Sequence, residues 1–165
     1  MKIINKITFI IIFLFLNINA FGAVSSLVGQ KNWGTGEQRQ PTGVLFNPDG
    51  TKMYSTGTVQ NKIYMYNLTT PFTVTSATYS SKTCNLTDEN DALMFRFNSD
   101  GTAIFVLDTA TTETIDKYSL TTAYDISNCS LVAGSPQDFG GGMEMRSFSF
   151  SNDGSKIFIL SLIHI

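Results

Sequence analysis

Asp88-Glu89-Asn90-Asp91 is the densest acidic run in the chain. Calcium takes carboxylate and carbonyl oxygens, so a run like this is the first place to look for a cation. It lacks the alternating Asp-x-Asn spacing and the turn glycine of a calcium loop. It reads as a solvated connection. Three other aspartates, Asp49, Asp100 and Asp153, each precede a glycine, namely Gly50, Gly101 and Gly154. Chemistry that recurs at every unit points to a turn: Asp bonds back to nearby amides and Gly supplies left-handed backbone. Gly140-Gly141-Gly142 is followed by no Lys-Ser/Thr pair, so it is not read as a phosphate cradle. The single histidine, His164, has no Ser or Asp arranged with it in any recognisable pattern. No catalytic, cofactor-binding or metal-binding residue is therefore assigned, and no cofactor is expected.

Cys84 and Cys129 are a candidate disulfide. In an oxidising compartment a bridge is permitted. Closing a span of this length would contribute about 4 kcal/mol by the chain-entropy argument. The two cysteines do not occupy equivalent places in the repeat described below, since Cys129 aligns with Ala77. Bridged and free thiols both stay open. The aromatics Trp33, Tyr64, Tyr66, Phe72, Tyr79 and Tyr124 could stack on sugars, but Tyr66 recurs as Tyr118 and Phe72 as Tyr124. Recurrence favours packing between units; Trp33 lies outside the repeat. Asn67, Asn85 and Asn128 begin Asn-x-Ser/Thr triplets, which matter only where N-glycosylation machinery exists.

Those residues must be held by something, and composition bounds what. The chain has 165 residues, 11 Lys+Arg against 13 Asp+Glu, 42% hydrophobic and 15% charged. That excludes a strongly basic nucleic-acid binder and a disordered acidic tail. Residues 1–23 read as a secretory signal peptide. Lys2 and Lys6 precede the apolar run at residues 7–16, and small residues follow at Ala20, Gly22 and Ala23. Cleavage is expected after Ala20 or Ala23, with an uncleaved anchor as the alternative. The run is short for a membrane span, and no cysteine follows it to carry a lipid. The product is expected to be exported, to the periplasm, cell surface or exterior, with no membrane span after cleavage.

Residues 24–165 are dominated by an internal repeat, which decides the fold more firmly than any local propensity. Residues 44–54, 95–105 and 148–158 match one another, with Asp-Gly pairs 51 and then 53 residues apart. A second block, Tyr66-Asn67-Leu68-Thr69-Thr70-Pro71-Phe72, recurs as Tyr118-Ser119-Leu120-Thr121-Thr122-Ala123-Tyr124 at an offset of 52. The first unit reads as four strands over 43–46, 52–56, 62–67 and roughly 77–83. Ile104-Phe105-Val106-Leu107 and Ile157-Phe158-Ile159-Leu160 are apolar on both faces, which suits a sheet stacked between two others. The expected fold is all-β: β-propeller blades of four antiparallel strands. About two and a third blades are present, as units 41–91, 92–144 and a truncated 145–160. A β-sandwich is the alternative.

Phe46-Asn47-Pro48-Asp49-Gly50-Thr51-Lys52-Met53-Tyr54 resembles the Ser-Pro-Asp-Gly signature of WD40-like and YVTN-type propeller repeats of exported bacterial proteins. The Tyr-x-Leu-Thr-Thr block strengthens the likeness, which covers about residues 41–160. No Trp-Asp dipeptide closes a strand, which departs from the ordinary WD40 pattern. The resemblance implies a non-catalytic binding or scaffold module for a protein, glycan or surface, whose other partners are the remaining blades of its own chain. The alternative it implies is a fragment of a propeller enzyme, either a lactonase-like hydrolase or a quinone-dependent dehydrogenase. Residues 160–165 are also what CTG TCT CTT ATA CAC ATC encodes, a transposon-end adapter of sequencing libraries. The tail is expected to be an artefact, with a genuine strand end as the alternative.

Overall fold

The structure, a computed structural model, describes residues 29–31, 40–87, 91–109, 113–139 and 144–162. The leader at 1–23, Trp33, residues 88–90 of the acidic run, residues 140–142 and His164 lie outside the described residues. The chain divides at Gln30/Lys31 into two units, and every element below belongs to the second. No helix among the described residues is long and apolar enough to cross a membrane.

Among the described residues, three antiparallel sheets follow one another along the chain. The first is β1 (Pro41–Phe46), β2 (Lys52–Gly57), β3 (Lys62–Leu68) and β4 (Ala77–Asn85), paired in chain order. The second is β5 (Ala92–Phe97), β6 (Ala103–Asp108) and β7 (Thr114–Ser119). Its outer position is shared by β8 (Ser130–Leu131) and β9 (Gln137–Asp138), both on β7. The third holds β10 (Glu144–Phe150) and β11 (Ile157–Leu162).

Two strand bounds differ from the sequence expectation by more than one residue. β1 begins at Pro41 because a register shift between Pro41 and Gly43 lets pairing with β2 continue past an irregularity. β4 runs on to Asn85 through a similar shift, with Ser81 in left-handed backbone. The fourth strand of the second sheet is not continuous. Residues 132–135 form a turn that interrupts the strand while staying attached to β7: the Val132 amide donates to the Lys117 carbonyl at 2.9 Å, the Ser135 amide closes on the Val132 carbonyl at 3.0 Å over Gly134 at φ 72°, and the Ser135 hydroxyl accepts from the Lys117 amide at 3.1 Å.

Strand alternation explains how the sheets stack. On β6, Ile104 and Val106 point to one face, Phe105 and Leu107 to the other. The first pair joins a core with Tyr54, Ile63, Met65, Phe95, Tyr118 and Ile126, lying between sheets one and two. Leu107 joins Ile115, Met94, Met145 and Phe148 between sheets two and three, with Phe105 packed against them. Each such side chain contributes about 1.5–3 kcal/mol by leaving water. β11 repeats the alternation: Ile157 and Ile159 face sheet two, while Phe158, Leu160 and Leu162 are exposed on the opposite face.

Candidate functional site

Each of the three corners joining the first two strands of a sheet is built the same way. In the first, the Gly50 amide closes a turn on the Asn47 carbonyl at 3.0 Å, and Gly50 sits at φ 70°. The Asp49 carboxylate accepts from the Thr51 amide at 2.9 Å and the Thr51 hydroxyl at 2.6 Å. Asp100 does the same with Thr102 at 2.9 and 2.6 Å. Asp153 does so with Ser155 at 3.1 and 2.8 Å. These bonds favour the ionised form and hold all three carboxyls below the usual carboxylate range, Asp153 at about 2, where the Ser151 hydroxyl contributes most. Gly101 and Gly154 are left-handed as Gly50 is, at φ 74° and 68°.

A fourth side chain completes each corner. The Asn47 side-chain oxygen accepts from the Lys52 amide at 2.8 Å, and Asn98 accepts from Ala103 at 2.9 Å. Ser151 takes that place in the third corner, accepting from Lys156 at 2.9 Å. Its signal was the recurring Asn/Ser two residues before each Asp.

The recurrent aromatics seat on these corners rather than serving only as packing between units. The Phe72 ring covers Gly50, and its amide donates to the Gly50 carbonyl at 3.0 Å. The Tyr124 ring covers Gly101, with its amide on the Gly101 carbonyl at 2.9 Å. Both residues have positive φ themselves, 56° and 57°. Tyr124 also meets Phe97 at a tilt, centroids 5.2 Å apart, and Phe97 meets Tyr54 edge-on at 4.8 Å. Tyr66 lies on the far face of the first sheet, whereas its counterpart Tyr118 lies between sheets one and two.

Sheets one and two are also clasped at their outer strands. Cys84 of β4 and Cys129, just after a 3-10 turn at Ile126–Asn128, form a disulfide with Cα atoms 5.6 Å apart. Lys82 Nζ donates to Asp125 Oδ2 at 2.5 Å. That bond, with the Ser127 contacts, holds the Asp125 carboxyl down at about 2. Burial pushes the Tyr54 phenol well above the ordinary tyrosine range.

Two buried carboxylates passed unremarked in the sequence. Asp108 and Asp116 are 6% and 1% exposed. The register pairs Asp108 with Thr114 and Val106 with Asp116, so the two acids and Thr114 share the face toward sheet one, at the end opposite the Asp-Gly corners. The Thr114 hydroxyl donates to Asp116 Oδ2 at 3.4 Å. The signal was a break in the repeat: Asp116 stands where the first unit has Tyr64. Among the described residues no three His, Cys, Asp or Glu side chains come together to hold a metal.

A cavity of about 370 Å³ opens between sheets two and three. It is lined chiefly by Phe105, Ile115, Lys117, Phe139, Phe150 and Ile157. Phe105 and Phe150 meet edge-on at 4.8 Å, and the Lys117 amine lies 5.9 Å from the Phe105 ring.

No protein-family model and no curated protein matches the chain. Solved structures do match. A candidate 6-phosphogluconolactonase from Bacteroides uniformis aligns over 72% of this chain and 32% of its own, at TM-score 0.55 and 13% identity. A candidate 6-phosphogluconolactonase from Bacteroides fragilis aligns over 72% of this chain and 31% of its own, at TM-score 0.55 and 12% identity. The chain thus spans about a third of the length of these structures. What the likeness shows is the fold: four-stranded antiparallel blades of a β-propeller.

Proposed function

We propose that this chain is part of an exported propeller of the WD40-like/YVTN type that acts as a non-catalytic scaffold, presenting loops to a protein, glycan or surface. The observation that supports it is the use made of the repeated polar groups. Asp49, Asp100 and Asp153 each bond the Thr or Ser two residues on, within their own corner. The repeat therefore spends its chemistry on stiffening the sheets, and a stiff sheet lowers the ordering cost of binding. Immobilised polysaccharides and peptides tested against the protein should reveal saturable binding to one class. Asp108→Asn and Asp116→Asn should leave that binding unchanged.

A second reading, a lactonase-like hydrolase, is favoured by the activity that the structural neighbours are named for and by the two buried acids on one face. Turnover of 6-phosphogluconolactone, abolished by Asp116→Asn in a chain that still folds, would replace the scaffold reading with this one.

A further inference from the structure

Aspartate followed by glycine is a chemically fragile junction. The glycine amide nitrogen can close on the carbon of the aspartate side-chain carboxyl. The nitrogen gives up its proton, the neutral carboxyl gives up its hydroxyl, and the two leave as water. Water then reopens the five-membered imide at either carbonyl. Opening at the main-chain carbonyl reroutes the backbone through the side chain and leaves an isoaspartate, with one extra carbon in the chain. No oxidant or partner is needed. Asp49-Gly50 and Asp100-Gly101 are two such junctions, each with its aspartate exposed to water.

In the folded corners both reacting groups are tied down. Closure needs a neutral carboxyl, because a carboxylate offers no leaving group. Asp49 Oδ1 accepts from the Thr51 amide and hydroxyl, and Asp100 Oδ1 from those of Thr102. Bonds of this kind favour the ionised form, and both carboxyls lie below their ordinary value. The hydroxyls are themselves oriented. The Asn47 side-chain amide donates to Thr51 Oγ1 at 3.3 Å, and that of Asn98 to Thr102 Oγ1 at 3.1 Å. Each hydroxyl thus accepts from the asparagine and turns its proton toward the aspartate. The nucleophile is held as well. The Gly50 amide donates to the Asn47 carbonyl at 3.0 Å and the Gly101 amide to Asn98 at 3.2 Å. Losing that proton means losing the bond that closes the turn. Both glycines are buried beneath aromatic rings, of Phe72 and Tyr124.

We propose that Asp49 and Asp100 are latent isoaspartate sites, and that the hydroxyls of Thr51 and Thr102 keep them unreactive in the folded chain. Rearrangement proceeds only when a corner opens. It then prevents the corner from re-forming, because the extra backbone carbon shifts the glycine away from its acceptor and from its place beneath the ring. The assignment holds whether the propeller binds or hydrolyses.

The full chain is incubated at physiological temperature beside synthetic peptides of residues 44–56 and 95–107, and is then denatured and cut with trypsin. Isoaspartate is counted in fragments 40–52 and 97–117 against synthetic isoaspartyl standards. Each site in the folded chain should rearrange at least roughly tenfold more slowly than in its peptide. Thr102→Val keeps the branched shape and removes the hydroxyl. It should raise the rate at Asp100 roughly tenfold and leave Asp49 in the same molecule as it was. Thr102→Ser keeps the hydroxyl and should hold Asp100 at the native rate. Where Thr102→Val speeds Asp49 as well, the blade has loosened and Thr102→Ser decides: a native rate supports the proposal and a peptide-like rate overturns it. A native chain that rearranges as fast as the peptides also overturns it. So does a Thr102→Val chain with an unchanged rate at Asp100, because rigidity alone then protects the corner.

Discussion

The Tyr54 hydroxyl donates to the Tyr124 carbonyl oxygen at 2.6 Å, so the second strand of one blade holds the link of the next. Lys52 Nζ reaches the same oxygen at 3.3 Å. The acceptor is the backbone of a residue held at positive φ by its seat on Gly101. Corner, link and neighbouring blade are thereby one mechanical unit. Tyr54→Phe keeps the ring and removes the donor. It should cost about 1 kcal/mol, read as a lower urea midpoint with an unchanged slope. An unchanged midpoint would mean that the hydroxyl is dispensable.

Gly101 and Gly154 share a backbone conformation but not a neighbourhood. An added methyl at Gly154 meets only the left-handed penalty, about 1–2 kcal/mol. At Gly101 it also meets the Tyr124 ring. Gly101→Ala should therefore destabilise at least twice as much as Gly154→Ala. Denaturation of the two variants side by side checks the ordering, and equal losses would show that the ring yields freely.

The Cys84–Cys129 bridge closes 45 residues and ties the outer strand of one blade to the next. Its removal by reduction, or by Cys84→Ser with Cys129→Ser, should cost about 4 kcal/mol. Thiol titration of the unreduced chain in denaturant should find no reactive thiol.

Asp125 supplies a pH signature. Its folded carboxyl titrates at about 2, held down by Lys82, while the unfolded carboxyl titrates near 3.8. A depressed carboxyl stabilises the fold above its unfolded value. That contribution is present above about pH 4 and drains away as the pH falls toward 2. Asp125→Asn should be less stable near neutrality. Its deficit relative to the native chain should shrink across this window. Urea midpoints between pH 2 and 6 measure it, and a deficit independent of pH would assign the loss to packing instead.

Much of the fold was legible because its determinants are local. Asp-Gly at a fixed interval announces a hairpin whose donors and acceptors lie within five residues, as at Asn47, Asp49 and Thr51. The two-faced apolar strand 104–107 announces stacking on both sides, whereas in 157–160 only the Ile157 and Ile159 face is covered among the described residues and Phe158 and Leu160 are exposed. The broken fourth strand of the second blade was not legible, because a turn over Gly134, still bonded to Lys117 of β7, interrupts it within an otherwise matching unit. Nor were Asp108 and Asp116, which carry no motif and differ from their neighbours only by breaking a repeat.

The sequence by itself determined the strands, the corners and their order, since hydrogen bonds across a turn and alternation along a strand depend on neighbours in the chain. Tertiary structure alone decided which distant groups meet. Cys84 finds Cys129, Lys82 finds Asp125 and Tyr54 finds Tyr124 across 45, 43 and 70 residues. Nothing local selects those partners. They are set by the register in which one sheet lies on the next, which is fixed by the shape of the buried side chains between them.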